Sequence, residues 1–453
     1  MIEISEEQKE LLEEIEKGTY SPEEAVDRIL LFLRKKPGRE LLSPKWGDIW
    51  DKYGSYAEGI FDPPTIKEIK ESINLIWAPD KEIWDIRVDN DTRVTFLLGA
   101  GASAPSGIPT VDKLLAELWK RARKIGREDL DRLATWCNER RITNIEDLLT
   151  AAYISDFVAK NRSVTSLFEY FFFSGQRNQS VEEKYLIERS QSTRTLEIDA
   201  SSISFLQDTL QTLFGLLMST MISANPNFAH EAIVDFIKDH KNTSIVTTNY
   251  DGCMDQAILE AGMNLKRTID SNNKNDDVDG VNLIKMHGSI SWTYCDSCQN
   301  VREFDLLYLK KLYETDRLSF PVIGICKNCG GLRRPLLVPP LSFKFLMFPN
   351  LINTWDSARQ SIKEADCLII VGYSFSEADT YITKIISRSM SINKHQKMII
   401  VDMNPNLAPY LRERFSSRID GFEKKRILEA CGSSEKILPE VLGSMLGKSD
   451  MKK

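Results

Sequence analysis

The chain has 453 residues, 42% hydrophobic and 28% charged, with a net charge of −7. Its length predicts two or three folding units rather than one core, and its composition excludes a disordered or low-complexity chain. No apolar run reaches bilayer length, and the acidic balance gives no strong signal for direct nucleic-acid binding, although a local basic groove could sit within it.

The chain opens with MIEISEEQKELLEEIEK, acidic and helical in pattern rather than a signal peptide. Residues 1–90 read as a helical N-terminal segment. Ser21-Pro22-Glu23-Glu24 supplies an N-cap, a proline at the first helical position and a glutamate at the third, a capping box for a helix through Leu33. Trp46, Trp50, Trp77 and Trp84 follow among charged residues. They read as core, with a docking surface as the alternative.

From Arg93 short apolar runs appear: VTFLL (94–98), SIVTT (244–248), NLIKM (282–286), LLV (336–338), CLIIV (367–371) and MIIV (398–401). Brief, β-branched and separated by helical patterns, they predict buried parallel strands of a Rossmann-like α/β sheet. Residues 112–242 interrupt them with an almost wholly helical stretch. It is too long for one crossover helix and is read as an insertion, in which polar Ser174–Thr193 forms a loop.

The first run ends in Gly99-Ala100-Gly101-Ala102-Ser103-Ala104, a G-x-G-x-x-[G/A] turn. Its glycines permit a tight turn and let backbone N–H groups approach a pyrophosphate; a purely structural strand-to-helix turn is the alternative. No Gly-Lys-Ser/Thr follows, which excludes the Walker type. Pro105-Ser106-Gly107-Ile108-Pro109 intervenes before the next helical pattern, so the turn is expected to bind a dinucleotide in a manner unlike a dehydrogenase.

SIVTT leads into Asn249-Tyr250-Asp251 and NLIKM into His287-Gly288. Ligands collect at the carboxyl ends of parallel strands, so these polar groups should converge on the glycine turn. His230, His240 and His395 have helical or lysine-flanked contexts and read as structural or exposed. His287 alone could also be a core histidine; in company with Asn249 and the glycine turn it reads as a site residue.

Two C-x-x-C pairs, Cys295/Cys298 and Cys326/Cys329, have 27 residues between them. Two such knuckles supply the four thiolates of a closed, structural Zn2+ site, with redox pairs or buried thiols as the alternative. The remaining four cysteines lie apart in apolar surroundings, which suits a reducing cytoplasm.

In this order, GAGAS with SGIP, TTNYD, a strand running into HG, the paired C-x-x-C, GYSF and VDMNP resemble the sirtuins over residues 93–415. The resemblance implies an NAD+-consuming enzyme with a Rossmann-like catalytic domain over 91–430, a zinc-ribbon module near 290–335 and a C-terminal tail over 431–453. It places Gly99, Ala100, Gly101 and Ser103 at the pyrophosphate, Asn249 and Asp251 beside the nicotinamide ribose, and Gly107 and Thr248 among the cofactor-binding residues. His287 would be the base, Gly372 and Ser374 a second phosphate turn, and Asn404 the adenosine-ribose contact.

Where sirtuins carry Asp-Phe-Arg, Thr-Gln-Asn and Phe-Gly-Glu, this chain has Thr110-Val111-Asp112, Thr247-Thr248-Asn249 and Val338-Pro339-Pro340. These departures resemble the bacterial sirtuin-like NADase effectors of antiphage defence. They imply hydrolysis of NAD+ to nicotinamide and ADP-ribose. NAD-dependent protein deacylation and an NAD- or ADP-ribose-binding scaffold or sensor remain as alternatives. The resemblance also implies a gated homo-oligomer and a partner ATPase or nucleic-acid-sensing protein.

Overall fold

The computed structural model describes residues 80–126, 128–160, 185–188, 195–198, 200–266, 280–295, 297–315, 325–338, 348–375 and 380–448. The predicted N-terminal capping box and Trp46, Trp50 and Trp77 lie outside them. So do most of the predicted 174–193 loop and Pro339-Pro340.

Seven parallel strands form the central sheet: β1 (Val94–Leu98), β4 (Thr243–Thr247), β5 (Leu265–Lys266), β6 (Val281–Lys285), β10 (Cys367–Val371), β11 (Lys397–Asp402) and β12 (Ile427–Cys431). Their spatial order is β12-β11-β10-β1-β4-β6-β5. The chain builds outward from β1 to one side, then crosses back to build the other. β1 and β10 are therefore neighbours at the topological switch point, where ligands of open α/β sheets bind.

Both faces of this sheet are covered, which is why its strands read as continuous apolar runs. Alternate residues serve different cores. Val94, Phe96 and Leu98 pack with the helix Phe228–Asp239 and the helix Ser434–Met445, whereas Leu97 faces the opposite cluster. Phe96 meets Phe236 edge-on, with ring centroids 5.7 Å apart.

The region between β1 and β4 contains the helices α1 (Ala100–Ser103), α2 (Val111–Ile125), α3 (Glu128–Glu139), α4 (Ile145–Lys160), α5 (Ala200–Met221) and α6 (Phe228–Asp239). It also holds a small antiparallel hairpin, β2 (Tyr185–Glu188) with β3 (Thr195–Ile198), so this stretch is less uniformly helical than its sequence pattern indicates. Leu114 and Leu118 of α2, Leu148 of α4 and Phe214 of α5 share the core of the sheet face that carries Leu97.

A three-stranded antiparallel sheet joins β8 (Val301–Glu303), β7 (Gly288–Cys295) and β9 (Arg333–Leu337). The run LLV at 336–338 thus corrects the expectation of a parallel strand. Leu336 and Leu337 close β9, whose backbone groups pair with Ser289 and Gly288 instead of joining the main sheet. After β4 come α7 (Cys253–Glu260) and, beyond β8, α8 (Leu306–Thr315). The helices α9 (Ile352–Glu364), α10 (Thr380–Ile392), α11 (Leu407–Ser416) and α12 (Ser434–Met445) complete the cover.

Candidate functional site

The turns after β1 and β10 interlock. The Gly99 N–H donates to Val371 O at 3.0 Å and the Gly101 N–H to Gly372 O at 2.8 Å. A Cβ on Gly101 would lie 2.7 Å from Gly372 Cα, and one on Gly372, whose φ is +58°, would lie 2.4 Å from Ala102 N. Only glycine allows two backbones to approach this closely, and the approach leaves the mouth of the switch point lined by main chain.

Asn249 bridges this turn to β4. Its Nδ2 donates to Gly99 O at 2.8 Å and to Ser103 Oγ at 3.1 Å. Its own N–H is held by Thr247 Oγ1 at 3.0 Å, and the Thr248 N–H donates to Leu98 O at 3.0 Å. The neighbouring Asp251 is buried; its Oδ1 accepts from the Cys253 N–H at 2.9 Å and its carbonyl from Lys285 Nζ at 2.5 Å. Lys285 also pairs with Asp255 at 2.7 Å, a buried ion pair that ties the turn after β4 to β6.

His287 lies on the turn from β6 to β7 and is 5% exposed. It is gripped through its flanking backbone. Its carbonyl accepts from the Val338 N–H at 2.8 Å, and the Met286 carbonyl accepts from the buried indole of Trp355 at 2.7 Å. Gly288 follows at φ +81°, where a Cβ would stand 2.0 Å from Leu336 O, so the glycine after His287 is dictated by β9 passing overhead. The Tyr250 ring centre is 6.3 Å from that of His287, and Tyr250 OH donates to Val338 O at 2.9 Å.

A cleft of about 900 Å³ opens over these strand ends. Ala100, Gly101, Ser103, Thr248, Asn249, Asp251, His287, Gly372, Ser374 and Asn404 all line it. Gly99 and Gly107 do not. Gly99 lies under the turn as an acceptor for Asn249, and Gly107, at φ +82°, ends the 3-10 turn Ala104–Ser106.

The cleft has two arms about the switch point. Asn249, Asp251 and His287 stand on the β4/β6 arm; Ser374, Asp402, Asn404, Ser433 and Ser434 stand on the β10/β11/β12 arm. On the second arm Asp402 Oδ1 accepts from the Asn404 N–H at 2.8 Å, and burial pushes its carboxyl up to about 6 against the lowering effect of backbone N–H bonds. The insertion closes the roof with Lys113 of α2 and Glu146 of α4.

Several of these residues are not evident from the sequence. Asn227 has a readable signal as an N-cap, accepting from the Ala229 N–H at 2.9 Å. Its Nδ2, however, also donates to Ala102 O at 2.9 Å and Ser106 Oγ at 3.0 Å, fixing the glycine turn from across the insertion. Asp402, Glu146, Ser433 and Ser434 carry no local motif; only the tertiary fold brings them to the cleft.

The other histidines behave as structural groups. His230 Nδ1 accepts from the Asn227 N–H at 3.2 Å in a capping box, and burial lowers its pKa. His240 Nε2 contacts Thr92 O at 2.7 Å, and His395 is exposed. Cys137, Cys253, Cys367 and Cys431 are all buried, and burial raises the thiols of Cys137 and Cys367 to about 12.

The sulfurs of Cys295, Cys298, Cys326 and Cys329 lie within 4.8 Å of one another. Two of the separations are 3.4 Å (Cys295–Cys329) and 3.7 Å (Cys298–Cys326). Four thiolates at about 2.3 Å from a tetrahedral Zn2+ stand roughly 3.8 Å apart, so the donor set and its spacing fit that ion. Gly330, at φ +75°, gives the second knuckle its turn, with its N–H on Cys326 O at 2.8 Å.

A family profile described as "SIR2-like domain" matches residues 243–420. An NAD-dependent protein deacetylase of Staphylococcus epidermidis is 23% identical over 177 residues, 38% of this chain and 56% of that protein. One from Staphylococcus aureus is 23% identical over 288 residues, 63% of this chain and 75% of that protein. NAD-dependent protein deacylase 1 of Archaeoglobus fulgidus is 23% identical across 42% of this chain and 61% of its own length. A crystal structure of a Sir2 homolog–NAD complex aligns at 16% identity and a TM-score of 0.41, covering 82% of this chain and 95% of the other. Residues 243–420 thus resemble a SIR2-like domain, and the chain is distantly related to NAD-dependent deacetylases.

Proposed function

We propose that the protein is an NAD+ glycohydrolase that cleaves the nicotinamide–ribose bond to give nicotinamide and ADP-ribose. The observation that carries this reading is the convergence, in one cleft, of the interlocked glycine turns with Asn249 and His287. Backbone N–H groups and Ser103 hold the pyrophosphate at the switch point. The nicotinamide riboside lies on the β4/β6 arm and the adenosine on the arm bearing Asp402 and Asn404.

As the glycosidic bond breaks, positive charge grows on the ribose and neutral nicotinamide leaves. Water attacks the opposite face, and His287 takes its proton, a task suited to imidazole. Asn249 sets the geometry of the turn from beneath, and Asp251 adds a carboxylate near the developing charge. The four cysteines would hold Zn2+ as a staple for β7 and β9, away from the chemistry.

Deacylation is the competing reading, favoured by the names of the relatives. Hydrolysis is preferred because both backbone groups of Val338 are already engaged, its N–H on His287 O and its carbonyl on Tyr250 OH. An extended acyl-lysine peptide needs free edge groups to pair with. The setting as an NAD+-depleting antiphage effector, oligomeric and gated by assembly or a partner, rests on the family resemblance.

Purified protein incubated with NAD+ should release nicotinamide and ADP-ribose without any acylated peptide, and His287→Ala should lower kcat by about 100-fold or more. Release that depends strictly on an acyl-lysine peptide would overturn the hydrolase reading. Equal turnover by His287→Ala would remove His287 from the mechanism.

A further inference from the structure

A buried guanidinium reaches one of the four thiols, and among the described residues no carboxylate balances it. Arg333, the first residue of β9, is 4% exposed. Its Nε donates to Thr293 Oγ1 at 3.0 Å, and Nη2 to the carbonyls of Thr293 at 3.1 Å and Asn300 at 3.0 Å. Nη1 donates to Asn300 Oδ1 at 3.3 Å and to Cys326 Sγ at 3.5 Å. Every oxygen in this set is neutral, and Arg333 forms no salt bridge among the described residues.

A buried cation without a counter-charge is strongly unfavourable. Four neutral thiols, or two disulfides, would leave Arg333 in that state. Four thiolates around a divalent cation carry a net charge of −2, and one of these sulfurs accepts directly from the guanidinium. We propose that Arg333 is the counter-ion of a divalent metal–tetrathiolate cluster, held there by a fork that also binds the first knuckle to the second. Thr293 belongs to β7, Asn300 to the loop after Cys298, and Cys326 to the second knuckle, so one side chain spans all three segments. Lysine would keep the charge but lose the planar set of five donors. The proposal rests on the metal reading of the cysteines and is independent of the reaction in the cleft.

The test uses the full chain and zinc alone, with affinity measured by competition against a chromophoric chelator. Arg333→Met should bind zinc about 10- to 100-fold more weakly, and Arg333→Lys should lose less. Thermal melting separates a counter-ion from a packing residue. Zinc-loaded Arg333→Met should melt below the loaded wild type, whereas the chelator-stripped variant should melt no lower than the stripped wild type, having lost an unbalanced buried charge. Zinc affinity equal to wild type, or the same drop in melting temperature with and without metal, overturns the proposal. If Arg333→Met does not fold, Arg333→Gln takes its place under the same criteria.

Discussion

Asn249 and His287 are both polar residues placed just beyond an apolar strand, and that placement is what makes them readable before any fold is known. Asp402 shows the limit of such reading. It ends β11 as a strand-end acid like many others, and only the fold buries its carboxyl, raising it to about 6. A carboxyl whose native pKa is raised favours the neutral form. Its contribution is therefore full below the unfolded value near 4 and is lost as pH rises through about 6. Asp402→Asn removes that ionisation while keeping an oxygen for the Asn404 N–H. The variant should be more stable than wild type at pH 7.5, by on the order of 2 kcal/mol, and nearly equal to it at pH 4. Thermal melts at the two pH values check this; a lower melting temperature for Asp402→Asn at pH 7.5 would contradict the burial argument.

Elements were legible where both faces of a strand are buried. VTFLL and CLIIV coincide with β1 and β10 because every residue in them is apolar or β-branched and every residue is covered. β12 escaped notice because Glu429 interrupts its run, and the LLV run was misplaced because brevity and hydrophobicity do not reveal a strand's partner. The helix α9 has a role no periodicity could disclose. Through the Trp355 indole on Met286 O it holds the end of β6 next to His287. Trp355→Phe should preserve the ring's packing but leave a buried carbonyl unsatisfied, at a cost of about 1–3 kcal/mol. Urea unfolding should show that loss. With the backbone before His287 released, kcat for nicotinamide release should fall more than KM rises; an unchanged kcat would detach α9 from the site.

For the whole molecule, a parallel sheet covered on both faces followed from the sequence in outline, since short β-branched runs alternating with helical patterns build such a sheet; the strand order did not. The assembly of the cleft did not, because its roof comes from the insertion and its second arm from turns late in the chain. The interlocked glycines join those remote parts. Each of Gly101 and Gly372 excludes a side chain because the other's backbone already occupies the space. An alanine at either position forces the two turns apart, and once they are apart a second methyl meets little further resistance. Gly101→Ala and Gly372→Ala should thus each be strongly damaging, while the double variant falls short of their sum by about 1–3 kcal/mol in a double-mutant cycle. Strict additivity would mean that the turns move independently. The two halves of the sheet, distant in sequence, accordingly share a single point of failure, and under the proposed function a substitution that widens the mouth for one half of the dinucleotide also loosens its hold on the other.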